Sequence, residues 1–317
     1  MEPEAKPAYA IPFSGPVPHF RKYRNVYIGV AVVVLVLLAA VGYLTYQSKG
    51  HPFRVISSFV SVLMLPTELR HALFVSSADT GRDAYQPTST GFRWRGSSIE
   101  EPAIQGDHLA VPSGKYGDSE ILLDWEIVAA SSSLLLAPAI NSDATILAWG
   151  AIPSRHKVVV FSNEKIVTHE TATGKEHIYS GVMPFFTPNG DIGRIVNGGI
   201  EVTSLSTGET HVIAPASGVQ FSPNDIHIST FVVSPDFAYV GWLTNSGDVV
   251  ILHVEGAQLV PVLTQKTSAQ SIALGTDSFY VVQGTKGNTW VERTSLTTKK
   301  VSKYYLPPFF TISSLVL

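Results

Sequence analysis

The chain contains no cysteine. This absence removes disulfide frameworks, thiolate metal sites, thiol nucleophiles and iron–sulfur ligation, so stability has to come from packing. Asn-x-Ser/Thr sequons are missing too. Asn141, Asn245 and Asn288 are each followed at once by Ser or Thr but carry neither two places on, which argues against a glycosylated eukaryotic ectodomain. Charge is scarce, at 15% of 317 residues, while hydrophobic residues reach 45% and Ser, Thr, Val and Gly are abundant. That balance excludes a disordered chain. It suits pleated surfaces better than solvated helices, so an all-β body with one large core or two ordinary ones is expected.

Catalytic signatures are absent as well. The ten histidines never fall into His-x-His, His-x-x-His or His-Glu-x-x-His spacing, so no local metal motif exists. "VPSGKYG" around Lys115 lacks the upstream glycine and the following Ser/Thr of a phosphate-binding loop; a hairpin turn is the reading there. No Gly-x-Ser-x-Gly elbow occurs, and a lone serine is no nucleophile without a placed base. "GTKGNTW", Gly284 to Trp290, resembles the tail of a sialidase Asp-box, but Thr285 stands where the aspartate belongs. The sequence therefore yields no catalytic, cofactor-binding or metal residue and no cofactor, and it leaves ligand-binding residues unassigned.

What is present begins with "NVYIGVAVVVLVLLAAVGYLTY", uncharged from Asn25 to Tyr46, long enough in helix to span a bilayer. A cleaved signal peptide is the rival reading, since Ala40-Val41-Gly42 is small, but its apolar region is normally shorter. Arg21, Lys22 and Arg24 crowd one flank, against Lys49 and Arg54 on the other, which places residue 1 in the cytoplasm and the large C-terminal part outside, at a prokaryotic plasma membrane. Residues 1–24, with Pro3, Pro7, Pro12, Pro16 and Pro18, read as a disordered cytoplasmic tail. Residues 25–47 read as the membrane helix and 48–67 as a juxtamembrane amphipathic helix or linker. That linker would lie on the outer leaflet or connect into the body. Beyond residue 24 the chain carries 18 basic and 23 acidic residues, so nucleic acid is not an expected partner.

The body, residues 68–317, is repetitive. "INSDATILAWGAIPSRHKVVVFSNEKIVTHETATGKEH", "FTPNGDIGRIVNGGIEVTSLSTGETHV", "VSPDFAYVGWLTNSGDVVILHVEG" and "LGTDSFYVVQGTKGNTWVERTSLTTKK" share one grammar. Each has a polar turn with Asp or Asn, an apolar strand, a second turn, a further strand and a Thr-Gly-like turn. Asp143, Asn189, Asp236 and Asp277 fall 46, 47 and 41 residues apart, the length of a four-stranded propeller blade. Trp149, Ile195 and Trp242 each stand six residues after the turn residue, with Gln283 at that place in the last copy; inter-blade packing is expected of them. "FTPNGD…GGIEVTSLSTGE" and "VSPDFAYVGW…SGDVVILHVEG" resemble the WD-repeat-like blades of bacterial TolB-type propellers. The resemblance implies a periplasmic or surface binding platform and carries over no catalytic residue.

The chain is thus expected to be a six-bladed β-propeller, with five or seven blades as alternatives, behind one transmembrane helix and a short juxtamembrane helix. Blades fall near 100–135, 138–180, 183–213, 219–263 and 270–306, and a sixth is split between His71–Gly96 and the C-terminus. Pro308-Phe309-Phe310-Thr311 repeats Pro184-Phe185-Phe186-Thr187 there. The expected function is a non-enzymatic scaffold of the cell envelope, binding the bilayer through residues 25–47 and another envelope protein on one propeller face. An envelope sensor signalling through the helix, or a propeller hydrolase or lyase, are the rivals.

Overall fold

The computed structural model describes residues 34, 60–78, 81–89, 91–98, 101–115, 117–153, 164–219, 221, 231–269, 271–285, 288–307 and 312–317. The chain divides into two compact units, Met1–Val55 and Ile56–Leu317; only Val34 of the first is described. The expected tail and membrane span therefore lie, apart from Val34, outside the described residues. No helix among the described residues is long and apolar enough to cross a membrane.

The second unit is built from short antiparallel meanders. The first holds β1 (Leu73–Ala78), β2 (Gly81–Thr88) and β3 (Gly91–Ser98). Next come β4 (Ala103–Gln105), β5 (His108–Lys115), β6 (Asp118–Leu123) and β7 (Glu126–Ser131), then β8 (Leu134–Ile140), β9 (Ile146–Ile152), β10 (Lys165–Glu170) and β11 (Glu176–Ser180). They are followed by β12 (Val182–Phe186), β13 (Ile192–Val196), β14 (Gly199–Thr203) and β15 (Thr210–Pro215), and by β16 (Val232–Val233), β17 (Tyr239–Leu243), β18 (Asp248–Glu255) and β19 (Gln258–Lys266). The last are β20 (Ser271–Leu274), β21 (Ser278–Thr285), β22 (Asn288–Ser295), β23 (Val301–Tyr305) and a final strand, β24 (Ser314–Val316).

Four sheets have four strands each, and one has eight, in the order β12-β13-β14-β15-β19-β18-β17-β16. The eight-stranded sheet is two meanders joined at their outer strands by a parallel bridge, Ala214 to Gln258 and Pro215 to Leu259. The first sheet is completed from the far end of the chain: β24 pairs antiparallel with β1, matching Leu73 to Val316, Phe74 to Leu315 and Val75 to Ser314. The split unit read from the sequence is therefore one sheet. Its closing strand is Ser314–Val316, whereas Pro308–Thr311 lies outside the described residues. The stretch around Lys115 is a hairpin, with Lys115 paired to Asp118.

The turns repeat in chemistry as well as position. Between first and second strands, Asn141, Thr187 and Ser234 accept the amides of Ile146 (2.8 Å), Asp191 (3.2 Å) and Tyr239 (2.8 Å) on their side chains. The residue after the turn Asp or Asn is left-handed at Ala144, Gly190 and Phe237. Between third and fourth strands, Thr173, Thr207 and Thr298 accept the amides of Lys175, Glu209 and Lys300 on their hydroxyls, and Gly174, Gly208 and Lys299 take the left-handed position. Connections such as residue 181 between β11 and β12 are so short that a sheet begins at the end where its predecessor finished. The tight first and third turns thus gather at one end of the array, the turn end. The long connections of residues 153–164 and 216–231 leave from the opposite, loop end.

The core lies between the sheets. Trp149 packs with Ala110 and Ile121 of the preceding meander, and Trp242 shares a cluster with Ile195, Ile200 and Ile213 of its neighbour. Inter-blade packing is what the six-residue offset led us to expect. The polar exception crosses the same kind of boundary, since Gln283 Nε2 donates to Thr267 Oγ1 at 3.4 Å.

Residues 60–64 are helical and lead into a 3-10 turn, Thr67–Arg70. Val62, Leu65 and Leu69 are buried, with Leu65 and Leu69 in one cluster with Phe74, Tyr280 and Leu315. This part of the linker is therefore docked into the body. Val60, Leu63 and Met64 stand on a second, exposed stripe.

Candidate functional site

The innermost strand of each meander, β4, β8, β12, β16, β20 or β24, is hydrogen-bonded on one side only. Their other edges surround a cavity of about 1090 Å³, to which every one of the six contributes. Its apolar lining residues include Ala139, Phe186, Val233, Ala273 and Val316. At the loop end the lining includes Glu101 and Phe231, and at the turn end Asp107, Ser142, Pro188 and Pro235. Polar and charged residues such as Arg82, Gln86, Gln105 and Asn245 share the lining with these apolar ones, a mixture suited to oriented recognition of a ligand.

Two adjacent inner strands share an irregularity. Ala137 and Pro138 of β8 oppose Trp149 alone, and Met183 and Pro184 of β12 oppose Arg194 alone. These are bulges of the two-against-one kind. Ala137 and Met183 adopt left-handed φ values of 46° and 52°, a conformation unfavourable to side-chain-bearing residues. Pro138 and Pro184 have no amide proton to offer the ladder. All four line the cavity.

Their surroundings hold the distortion in place. Phe185 sits 5.5 Å from Phe237 and 6.1 Å from Phe231, ring centre to centre, and its ring covers Gly193, where a Cβ would come within 2.2 Å. Opposite the second bulge, buried Arg194 donates to Glu201 at 2.6 Å and to Thr203 at 2.7 Å, and its guanidinium lies 5.0 Å from the Tyr179 ring centre of the neighbouring sheet.

Four of the described lining residues are titratable: His71, Arg82, Glu101 and Asp107. Of the described lining residues, Glu101 and Asp107 carry carboxylates; Glu101 pairs with Arg82 at 3.3 Å and Asp107 is exposed. The most perturbed acid, Glu164, is outside the lining. Burial pushes its pKa up to about 7; its carboxylate packs on Gly150, and Oε2 has no partner among the described residues. Tyr280, whose burial raises its pKa to about 12, accepts a bond from Arg293. Among the described residues no group of three or more His, Asp or Glu is placed to hold a metal.

Sequence reasoning assigned no ligand-binding residue, and the lining residues are those it missed. Inner strands as short as Val232–Val233 carry no readable alternation. The available signal was an X-Pro pair inside a strand, Ala137-Pro138 and Met183-Pro184, which marks a bulge.

Radial meanders around a shared cavity, closed by the two ends of the chain, make a propeller-like fold. TolB from Acinetobacter baumannii is similar, with a TM-score of 0.56 at 13% identity, covering 84% of this chain and 70% of that one. A nidogen/laminin complex structure is similar at a TM-score of 0.51 and 7% identity, over 78% of this chain and 97% of that one. At such identities the likeness is one of fold. No family model matches the sequence, and no curated protein matches it.

Proposed function

We propose that this protein is a membrane-anchored, extracytoplasmic, six-bladed propeller that binds another envelope protein, and that its central cavity takes part in the contact. The observation that carries the reading is the cavity of about 1090 Å³ lined by all six inner strands. Those six strands also support six as the blade count, with the eight-stranded sheet taken as two blades bridged at the rim. The scarcity of carboxylates in the cavity supports a binding role over a hydrolase or lyase, which would gather several acids with shifted titration. The uncharged run Asn25–Tyr46 supports the anchor and the basic flank its orientation.

The test is site-specific photocrosslinking in intact cells of the source organism. A benzophenone side chain at Phe186 should give a discrete protein adduct that is lost when Val233→Arg fills the cavity with a charged chain. The same probe at Val301, on an outer strand, should give none. Equal adducts from both positions, insensitive to Val233→Arg, would rule out the cavity as the binding site.

A further inference from the structure

The helix at residues 60–64 has two apolar stripes with different fates. Val62 and Leu65, three apart, are buried against the propeller, whereas Val60, Leu63 and Met64, at i, i+3 and i+4, are 51%, 57% and 70% exposed. Residues so spaced form one helical face. A bare apolar stripe on a segment that is otherwise firmly docked calls for a partner that is itself apolar.

Position in the chain says which partner. The uncharged run ends at Tyr46, and Val60 follows after a short connecting stretch, so a chain held in a bilayer by that run must leave its surface within reach of the stripe. Ion pairs locate the segment on the propeller. Glu68 Oε1 approaches Arg293 at 3.8 Å, and Arg293 binds Asp277 in the β20–β21 turn at 3.1 Å, which fixes the linker at the turn end of the last meander. The adjoining β22–β23 turn carries exposed Lys299 and Lys300, and Arg70 is exposed beside the helix. Arg70 itself donates to the Leu65 carbonyl at 3.2 Å, bracing the helix end. Exposed Glu68 and Asp277 stand in the same patch, so the charge there is mixed and it is the apolar stripe that fits a segment resting at the headgroup boundary.

We propose that Val60, Leu63 and Met64 are a lipid-facing footing that seats the propeller turn end down on the bilayer. The loop end then faces away, and a partner reaches the cavity through the mouth bearing Glu101 and Phe231. The inference rests on the anchor assigned above to residues 25–47.

The test uses the full chain, whose lack of cysteine allows single labels. Met64→Cys and Ser246→Cys, the latter in the β17–β18 turn at the loop end, are labelled with the environment-sensitive fluorophore NBD. Both are reconstituted into vesicles of phosphatidylcholine and phosphatidylglycerol, with or without nitroxide-bearing lipid. Quenching at Met64 should exceed that at Ser246 by about threefold or more, as for a label buried among acyl chains against one in water. Leu63→Asp, exposed and so harmless to folding, should abolish the excess. Carbonate washing separates the two claims: a chain released from the vesicles overturns the anchor and this footing together. A retained chain whose Met64 label is quenched no more than Ser246 overturns the footing alone.

Discussion

Ser313 donates both its amide, at 2.7 Å, and its hydroxyl, at 3.1 Å, to the carbonyl of Val75, a residue 238 positions earlier. That pair of bonds sits where β24 completes the first sheet. Ile312 and Leu315 enter the same cluster as Phe74 and Leu69, so the clasp is apolar as well as hydrogen-bonded. An array left open here would present the unpaired edge of β1 to solvent and to other chains.

Deleting residues 312–317 should therefore destabilise the whole domain out of proportion to its length and expose an aggregating edge. The expected result is a melting temperature lower by roughly 10 °C or more, since two buried side chains and a strand are lost, together with material in the gel-filtration void. An unchanged monomer with an unchanged melting temperature would show that the clasp contributes nothing.

The third-to-fourth-strand turns make a smaller and sharper prediction. Lys299 adopts φ 58° at the place where Gly174 and Gly208 stand in two other meanders, and a side chain there costs about 1 kcal/mol. Lys299→Gly should raise stability by about that amount. Gly208→Lys should lower it similarly, and chemical denaturation of both variants measures the pair. Two changes of the same sign would contradict the equivalence of these turns.

Docking of the linker is tested at Leu69, which is fully buried between the first and last meanders. Leu69→Ala should cost about 3 kcal/mol. Met64→Ala, on the exposed stripe, should cost little in detergent, where nothing presses on it. Similar losses at both positions would mean that the helix is not held as the burial pattern describes.

These cases show which features a sequence displays. Spacing identified the meanders because turn chemistry is local: Asn141, Thr187 and Ser234 cap their own loops, and Trp149 and Trp242 recur at a fixed offset that alternation turns toward the preceding sheet. Closure was legible too, because Pro308–Thr311 repeats the blade entry Pro184–Thr187 just where the chain stops and His71–Gly96 supplies strands without a first one. The inner-strand bulges were not, since the left-handed backbone at Ala137 and Met183 goes against the local preference of side-chain-bearing residues. The bridge from Pro215 to Leu259 joins outer strands of different meanders and depends on how those meanders lie together. Which linker residues dock was not legible, because the cluster that takes Leu65 and Leu69 combines nearby Ala72 and Phe74 with distant Ala273, Tyr280 and Leu315.

The final prediction concerns pH. Glu164 is 5% exposed, and burial lifts its pKa from 4.5 to about 7. In the unfolded chain the carboxyl ionises near pH 4.5, while in the folded protein it holds its proton until about pH 7. Between those values the folded state binds more protons, so stability falls as pH rises. The contribution is fully present below the unfolded pKa and is lost as pH passes through the folded one, a difference of about 3 kcal/mol. Glu164→Gln keeps the shape beside Gly150 and removes the ionisation. It should leave the melting temperature nearly unchanged at pH 4.5 and raise it by several degrees at pH 8, at the scale set by that free energy. An equal effect of the substitution at both pH values would mean that Glu164 does not titrate between them.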